Sequence, residues 1–249
     1  MRLILDRIFG TSRKPSIGEN IRVYAIGDIH GRQDLFRHAL SAIVEHNEGA
    51  PAEIILLGDY IDRGPDSAAV VEDILTRPEL NDFGLTCLKG NHEATLLAFL
   101  EDPGIGPTWA RYGGQDTLIS YGVQPPLTKT DPEAWEACRQ SFKSALPEPH
   151  LALYQSLELK VERGDYLFVH AGVDPSKPLD QQDEADLLWS REKFLSDSRK
   201  LDKVIVHGHT PEGKPHRDHR RVGLDTGAYQ TGRLSIGFFS GEEVVFWTS

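Results

Sequence analysis

The chain has 249 residues, 39% hydrophobic and 26% charged, the balance of an ordinary soluble globular protein with one large domain or two small ones. With 27 Lys and Arg against 38 Asp and Glu the formal charge is −11, so no contact with nucleic acid or an anionic membrane is expected, since both need a basic face. Cys87 and Cys138 are too few for a disulfide scaffold, no apolar run nears the roughly 18 residues of a membrane helix, and Arg2, Asp6 and Arg7 break any signal-peptide core; a cytoplasmic protein is expected.

Residues 1–20 read as an appendage, with the small, polar, Pro-containing stretch Gly10 to Ser16 forming a loose lead-in to a single domain over 21–249. A unit then recurs: a short aliphatic strand, a Gly-Asp or Gly-Asn turn, and a helical pattern. Ile21–Ile26 runs into Gly27-Asp28 and a helix marked by Leu35, Phe36, Ala39, Leu40 and Ile43. Ile54–Leu57 runs into Gly58-Asp59 and Ala68, Val71, Ile74, Leu75; Leu85–Leu88 runs into Gly90-Asn91 and Ala94, Leu97, Ala98, Leu100. Strands alternating with helices at this spacing predict βαβ units and an α/β fold. From about 101 to 156 the strand signal stops, and a mostly helical insertion is expected, with Trp109 supplying a small core of its own. Strands return at Tyr166–Val169, Val204–Val206, Arg220–Leu224, Arg233–Phe239 and Val244–Trp247, so closely spaced at the end that a second, more antiparallel sheet is expected.

Five strands end in residues able to hold a metal: Asp28 with His30, Asp59, Asn91 with His92, His170, and His207 with His209. Ligands of open α/β folds gather at the carboxyl ends of the strands, where these side chains would converge. Carboxylates, an amide and imidazoles without thiolate suit Mn²⁺, Fe²⁺ or Zn²⁺. The set is too large for one ion and right for two, which a shared carboxylate can bridge about 3.5–4 Å apart, the separation used in hydrolysis at phosphorus. Each piece alone has a plainer account, because Gly-Asp after a strand is usually a turn. Repetition after five strands favours the metal reading, while His38, His46, His150, His216 and His219 follow no strand and are expected at the surface.

The segments Gly27-Asp28-Ile29-His30-Gly31, Gly58-Asp59-Tyr60-Ile61-Asp62-Arg63-Gly64 and Gly90-Asn91-His92-Glu93, with His170-Ala171-Gly172 and Gly208-His209-Thr210-Pro211, resemble the signature blocks of the phosphoprotein phosphatases, within the calcineurin-like metallophosphoesterases. Short bacterial and phage serine/threonine phosphatases are the most similar members. The resemblance covers about Ile21 to Trp247 and implies an αββα sandwich of two mixed sheets with metals in the crevice between them. It implies Asp28 and His30 on a first metal, Asp59 bridging, and Asn91, His170 and His209 on a second; His207 is expected behind the site rather than on an ion. Mn²⁺ is the first expectation, with Fe or Zn as alternatives. His92 would be the general acid, oriented by Asp62, and Arg63 would grip the phosphoryl group together with Asn91. Arg191, in Trp189-Ser190-Arg191, resembles the family's second phosphate arginine; the alternative is a helix-start Arg paired with Glu192 or Asp186. Arg111 either lines the substrate groove or merely accompanies Trp109.

The chemistry is coherent on its own terms. A phosphate monoester is dianionic, so charge at phosphorus must be neutralised; two metals would do this and make a bridging hydroxide near neutral pH. A Ser or Thr alkoxide leaves poorly and needs a proton, which an imidazolium held by a carboxylate can give. A guanidinium fork matches two phosphate oxygens. The expected substrate is therefore a phosphoprotein or phosphopeptide carrying phosphoserine or phosphothreonine, with nothing to bar phosphotyrosine. The rival reading is a dinucleoside polyphosphate hydrolase, but such relatives typically carry Ala in place of Asp62 and Asp in place of Glu93. An inactive binding module should have lost some of these residues, and a general phosphodiesterase has less use for Asp62, Arg63 and His92. Asp225-Thr226-Gly227-Ala228 reads as a structural turn beneath the site, and Cys87 as a core residue of a central strand.

Overall fold

A computed structural model describes residues 14–128 and 130–249. Among these, the strands in chain order are β1 (Arg22–Ile26), β2 (Glu53–Leu56), β3 (Gly84–Cys87), β4 (Lys160–Arg163) and β5 (Tyr166–Val169), then β6 (Val204–His207), β7 (His216–Arg217), β8 (Arg221–Gly223), β9 (Ser235–Ser240) and β10 (Glu243–Thr248). They form two five-stranded sheets, ordered β10-β9-β1-β2-β3 and β4-β5-β6-β8-β7. In the first, β1, β2 and β3 are parallel and the β9–β10 hairpin runs antiparallel beside β1. In the second, β5, β6 and β8 are parallel and the edge strands β4 and β7 reverse.

The closing strands therefore do not make a more antiparallel second sheet. After β6 the chain turns back through β7, so β8 runs parallel to β6, and the last hairpin crosses over to finish the first sheet. Both sheets are mixed to the same degree.

Side-chain alternation sets the layers. In β1, Val23 and Ala25 face the other sheet, while Tyr24 and Ile26 face helices. In β5, Tyr166 and Phe168 point between the sheets, and Leu167 and Val169 point to the opposite helical layer. Strands covered on both faces read as unbroken apolar runs, as these do. The result is the expected αββα sandwich.

The helices that position the site are α1 (Gln33–Asn47), α2 (Ser67–Thr76), α3 (Asn91–Glu101), α4 (Gln115–Ser120), α5 (Pro132–Ala145) and α6 (Glu148–Ser156). On α1 the buried face is Phe36, Ala39, Leu40 and Ile43, as the periodicity predicts. On α3 it is turned, to Leu96, Phe99 and Leu100, because the insertion packs against this helix from the outer side. Phe99 stacks 5.0 Å from Trp109 and 6.3 Å from Phe142. The insertion thus has no separate core; its aromatic residues extend the helical layer of the first sheet.

Three further positions differ from expectation. His150 is buried rather than at the surface, its ring nitrogens 2.7 Å from the Tyr121 hydroxyl and 2.9 Å from Glu72. Cys87 lies on the edge strand β3 and is half-buried. Residues 1–13 of the expected appendage lie outside the described residues, but its end is docked: Ile17 is fully buried, its N–H donates to the Gly241 carbonyl, and Ser16 N–H donates to Asp165.

Candidate active site

Because β1, β2, β3, β5, β6 and β8 share one direction, their carboxyl ends meet along one rim of the sandwich. Asp28, Asp59, Asn91, His170, His209 and Asp225 each stand within four residues of such an end, and all are buried. The loops there are tightly bent. His30, Asp59, Asp62, Arg63 and His209 have φ between 46° and 72°, a left-handed conformation that disfavours residues with a Cβ. Such strain costs on the order of 1–3 kcal/mol per residue and persists only where surroundings enforce it. Glu93 does much of the enforcing: buried in the first turn of α3, it accepts N–H bonds from Asp59, Tyr60 and Gly90 at 2.8–2.9 Å. Burial and the nearby Asp59 charge push its carboxyl up to about 8. Gly208 must be glycine for a different reason, since a Cβ there would sit 2.0 Å from Asp28 Oδ1.

The donor set fits divalent cations. His170 Nδ1 donates to the Leu57 carbonyl at 2.8 Å and His30 Nδ1 to Ile61 at 2.8 Å, so both rings turn an Nε2 lone pair inward. His170 Nε2 is 2.9 Å from Asn91 Oδ1, 3.2 Å from His209 Nδ1 and 3.4 Å from Asp59 Oδ1, an assembly richer in acceptors than in protons. His209 Nε2 is buried without a partner among the described residues. Asp59 faces two ways, with Oδ1 on this cluster and Oδ2 3.6 Å from His30 and 3.8 Å from His92. Two groups of potential ligands result, His30, Asp59 and His92, and Asp59, His170 and His209. Asp28 Oδ2 stands 3.9 Å from His30 Nε2, and both Asp28 oxygens also accept the His209 N–H.

Charge supports the same reading. Burial lowers the His30 ring to about 3, His209 to about 2 and also lowers His170, so these imidazoles are neutral, as metal ligands must be. Burial, with Asp225 and Asp59 close by, drives Asp28 well above the usual carboxylate range, and burial raises Asp225 to about 6. Three carboxylates crowd a space where cations would relieve them. The Asp225 turn closes through the Gly227 N–H as expected, and its carboxylate adds to this field. His207 takes no part, with Nδ1 2.9 Å from the Gly208 carbonyl and Nε2 3.3 Å from Arg221.

Beside this cluster, His92 Nδ1 meets Asp62 Oδ2 at 2.5 Å. Burial favours the neutral ring, but the Asp59 and Asp62 carboxylates outweigh it and hold His92 up at about 9. Arg63 reaches into the same space, its guanidinium 3.0 Å from His30 Nε2 and from His92 Nε2, and its Cζ 4.9 Å from the Tyr229 ring centroid. A 480 Å³ cleft opens here, lined by Arg63, Asn91, His92, Thr95, Thr108, Trp109, Tyr112, Trp189 and Arg191. Arg191 starts a short helix, as the alternative held, yet Asp186 is taken by Lys177 at 2.5 Å and Arg191 lines the cleft beside Arg63. Arg111 is exposed, its Cζ 5.4 Å from the Tyr112 ring centroid, and does not line the cleft.

Sequence reasoning missed the insertion's share. Trp109 Nε1 donates to Asp62 Oδ2 at 2.8 Å, and Thr117 Oγ1 donates to Asp62 Oδ1 at 2.6 Å. The Gly113 carbonyl accepts the Arg63 N–H at 3.1 Å. These residues lie about fifty positions beyond Asp62 and form no local motif with it. The sole hint was that a buried Asp needs donors.

A sequence model of the family described as calcineurin-like phosphoesterase matches residues 21–238. Serine/threonine-protein phosphatase 2 of Escherichia coli (strain K12) is 28% identical over 225 residues, covering 86% of this chain and 91% of that protein. A bis(5'-nucleosyl)-tetraphosphatase of Anoxybacillus flavithermus is 24% identical over 234 residues, covering 84% and 87%. Among solved structures, one described as a candidate diadenosine tetraphosphatase superposes with a TM-score of 0.61 at 22% identity, covering 92% of this chain and 93% of that one, a likeness of fold.

Proposed function

The chain belongs to the calcineurin-like phosphoesterases, and from that premise we propose that it removes phosphate from phosphoserine and phosphothreonine in proteins. That it is a metallophosphoesterase follows from the family; the protein substrate is the further step. Asp28, His30 and Asp59 would hold one divalent ion and Asp59, Asn91, His170 and His209 a second, with Mn²⁺ the first candidate. Bound there, the ions supply charge neutralisation at phosphorus and water of lowered pKa. The chain's own residues supply the rest. Arg63 and Arg191 orient the phosphoryl oxygens from the cleft wall, and Asn91 faces the same space. His92, held protonated by its carboxylate neighbours, gives its Nε2 proton to the leaving alkoxide as the P–O bond breaks. Inorganic phosphate and the free hydroxyl are the products.

The observation that carries the reading is the 2.5 Å contact between His92 and Asp62 beside Arg63 in the cleft. An acid of this kind is needed most where the leaving group is an alkoxide. Similarity to the Escherichia coli protein phosphatase supports it. A second reading, hydrolysis of dinucleoside polyphosphates, draws support from Tyr112 and Trp189, exposed at 58% and 53% on the cleft wall, where a nucleobase could stack. Measuring kcat/KM with Mn²⁺ on a phosphothreonine peptide and on diadenosine tetraphosphate decides between them. Faster peptide turnover is expected; faster dinucleotide cleavage would overturn the protein phosphatase assignment.

A further inference from the structure

The insertion over 101–156 carries none of the signature blocks, yet it closes around the residue that orients the proton donor. Asp62 is fully buried. Its Oδ2 meets His92 Nδ1 and the indole N–H of Trp109, while Oδ1 accepts from the Thr117 hydroxyl. The Asp62 backbone N–H in turn donates to Thr117 Oγ1 at 2.9 Å and to Ser67 Oγ at 3.0 Å. Thr117 therefore holds Asp62 at both ends, carboxylate and amide. A fully buried carboxylate with only the imidazole as donor would leave Oδ1 empty and be free to rotate about its side-chain torsion. With all three donors in place, Oδ2 points at one spot, and so does the ring that shares it.

Both donors are themselves fixed. Trp109 is buried among Phe99 and Phe142, at 5.0 and 5.9 Å between ring centroids, and a Cβ on Gly114 would run into its indole at 2.4 Å. Thr117 is fully buried on α4, one turn before Ser120, whose hydroxyl accepts the Ala68 N–H at the start of α2. The insertion thus grips the Asp62 loop from above and the α2 start from the side.

We infer that Trp109 and Thr117 are positioning residues for the His92 proton donor, acting through Asp62. This rests on the reading of His92 as general acid. Water attacks phosphorus, the bond to the leaving oxygen breaks with its electron pair going to that oxygen, and the His92 proton neutralises it. Loss of a positioning donor misdirects that proton and leaves phosphate binding alone. The loss is felt where the leaving group is basic and vanishes where it is not.

The test uses the full chain loaded with Mn²⁺, a phosphothreonine peptide and p-nitrophenyl phosphate. Trp109→Phe keeps the ring and removes the N–H; Thr117→Val keeps the shape and removes the hydroxyl; Thr117→Ser keeps the hydroxyl. His92→Asn is the reference and should cut kcat on the peptide by about 10²–10⁴-fold, and much less on the aryl ester. Trp109→Phe and Thr117→Val should each cut peptide kcat about tenfold and aryl kcat less than twofold, with KM and metal content unchanged, and Thr117→Ser should restore it. Either change added to His92→Asn should cost nothing more on the peptide. Equal losses on both substrates in Trp109→Phe and Thr117→Val, with the His92→Asn contrast intact, would overturn the inference alone. Equal losses in His92→Asn would overturn the acid reading and the inference with it. If Trp109→Phe fails to fold, the Thr117→Val and Thr117→Ser pair carries the test.

Discussion

The strand-end cluster and the insertion meet at one cleft but are built on opposite principles. In the cluster every side chain lies within four residues of a strand end, so the parallel strands and the loops clamped by Glu93 bring Asp28, Asp59, Asn91, His170 and His209 together. On the insertion side, apart from the nearby Ser67, Asp62 and Arg63 are held by Trp109, Gly113 and Thr117, at distances along the chain that no spacing rule describes. The cluster is set up to hold charge, the insertion to aim a proton and a guanidinium. Each should fail in its own way when disturbed.

The largest effect should come from the cluster. Asp59→Asn removes the carboxylate that faces both ligand groups, and turnover should be abolished together with most of the bound metal, read by kinetics and elemental analysis of the same sample. Wild-type activity in that variant would break the idea of a shared ligand. Next is Gly113, whose φ of 111° and contact with Arg63 leave no room for a side chain; a Cβ would stand 2.6 Å from Arg63 N. Gly113→Ala should therefore push Arg63 out of line and lower kcat/KM by roughly 10²-fold, the scale of a 1 Å misplacement, with metal content at the wild-type level. Metal loss in Gly113→Ala would erase the distinction between the two regions. The smallest contrast lies at the rim. Arg191→Ala should raise KM about tenfold through the loss of a charge-assisted contact, whereas Arg111→Ala should change neither constant. Equal effects would place Arg111 at the substrate after all.

This division also marks what could be read in advance. Strands such as Arg22–Ile26 and Tyr166–Val169 are legible because both faces are buried and the apolar run is unbroken. The metal-capable residues are legible because each is anchored to such a run. The fate of β9 and β10 is not, since their alternation fits either sheet and the choice depends on where the chain returns. His150 reads as a surface residue because its partners are distant in sequence, Glu72 on α2 and Tyr121 just past the end of α4. Trp109 reads as a core of the insertion alone, but it belongs to the helical layer of the first sheet, and one nitrogen on its edge also serves the site. A side chain with two jobs shows only the commoner one in a linear pattern.

An engineer seeking a different substrate for this cleft would leave Glu93 untouched. Its carboxylate works as a jig, clamping the amides of Asp59, Tyr60 and Gly90 at fixed spacing. Any redesign at that position would alter the loop that carries Asp59 and the turn that leads into Asn91. Tyr112, standing exposed on the cleft wall, offers the opposite tolerance: it lies outside the clamped loops, and the range of groups admitted beside the phosphate should be tunable there.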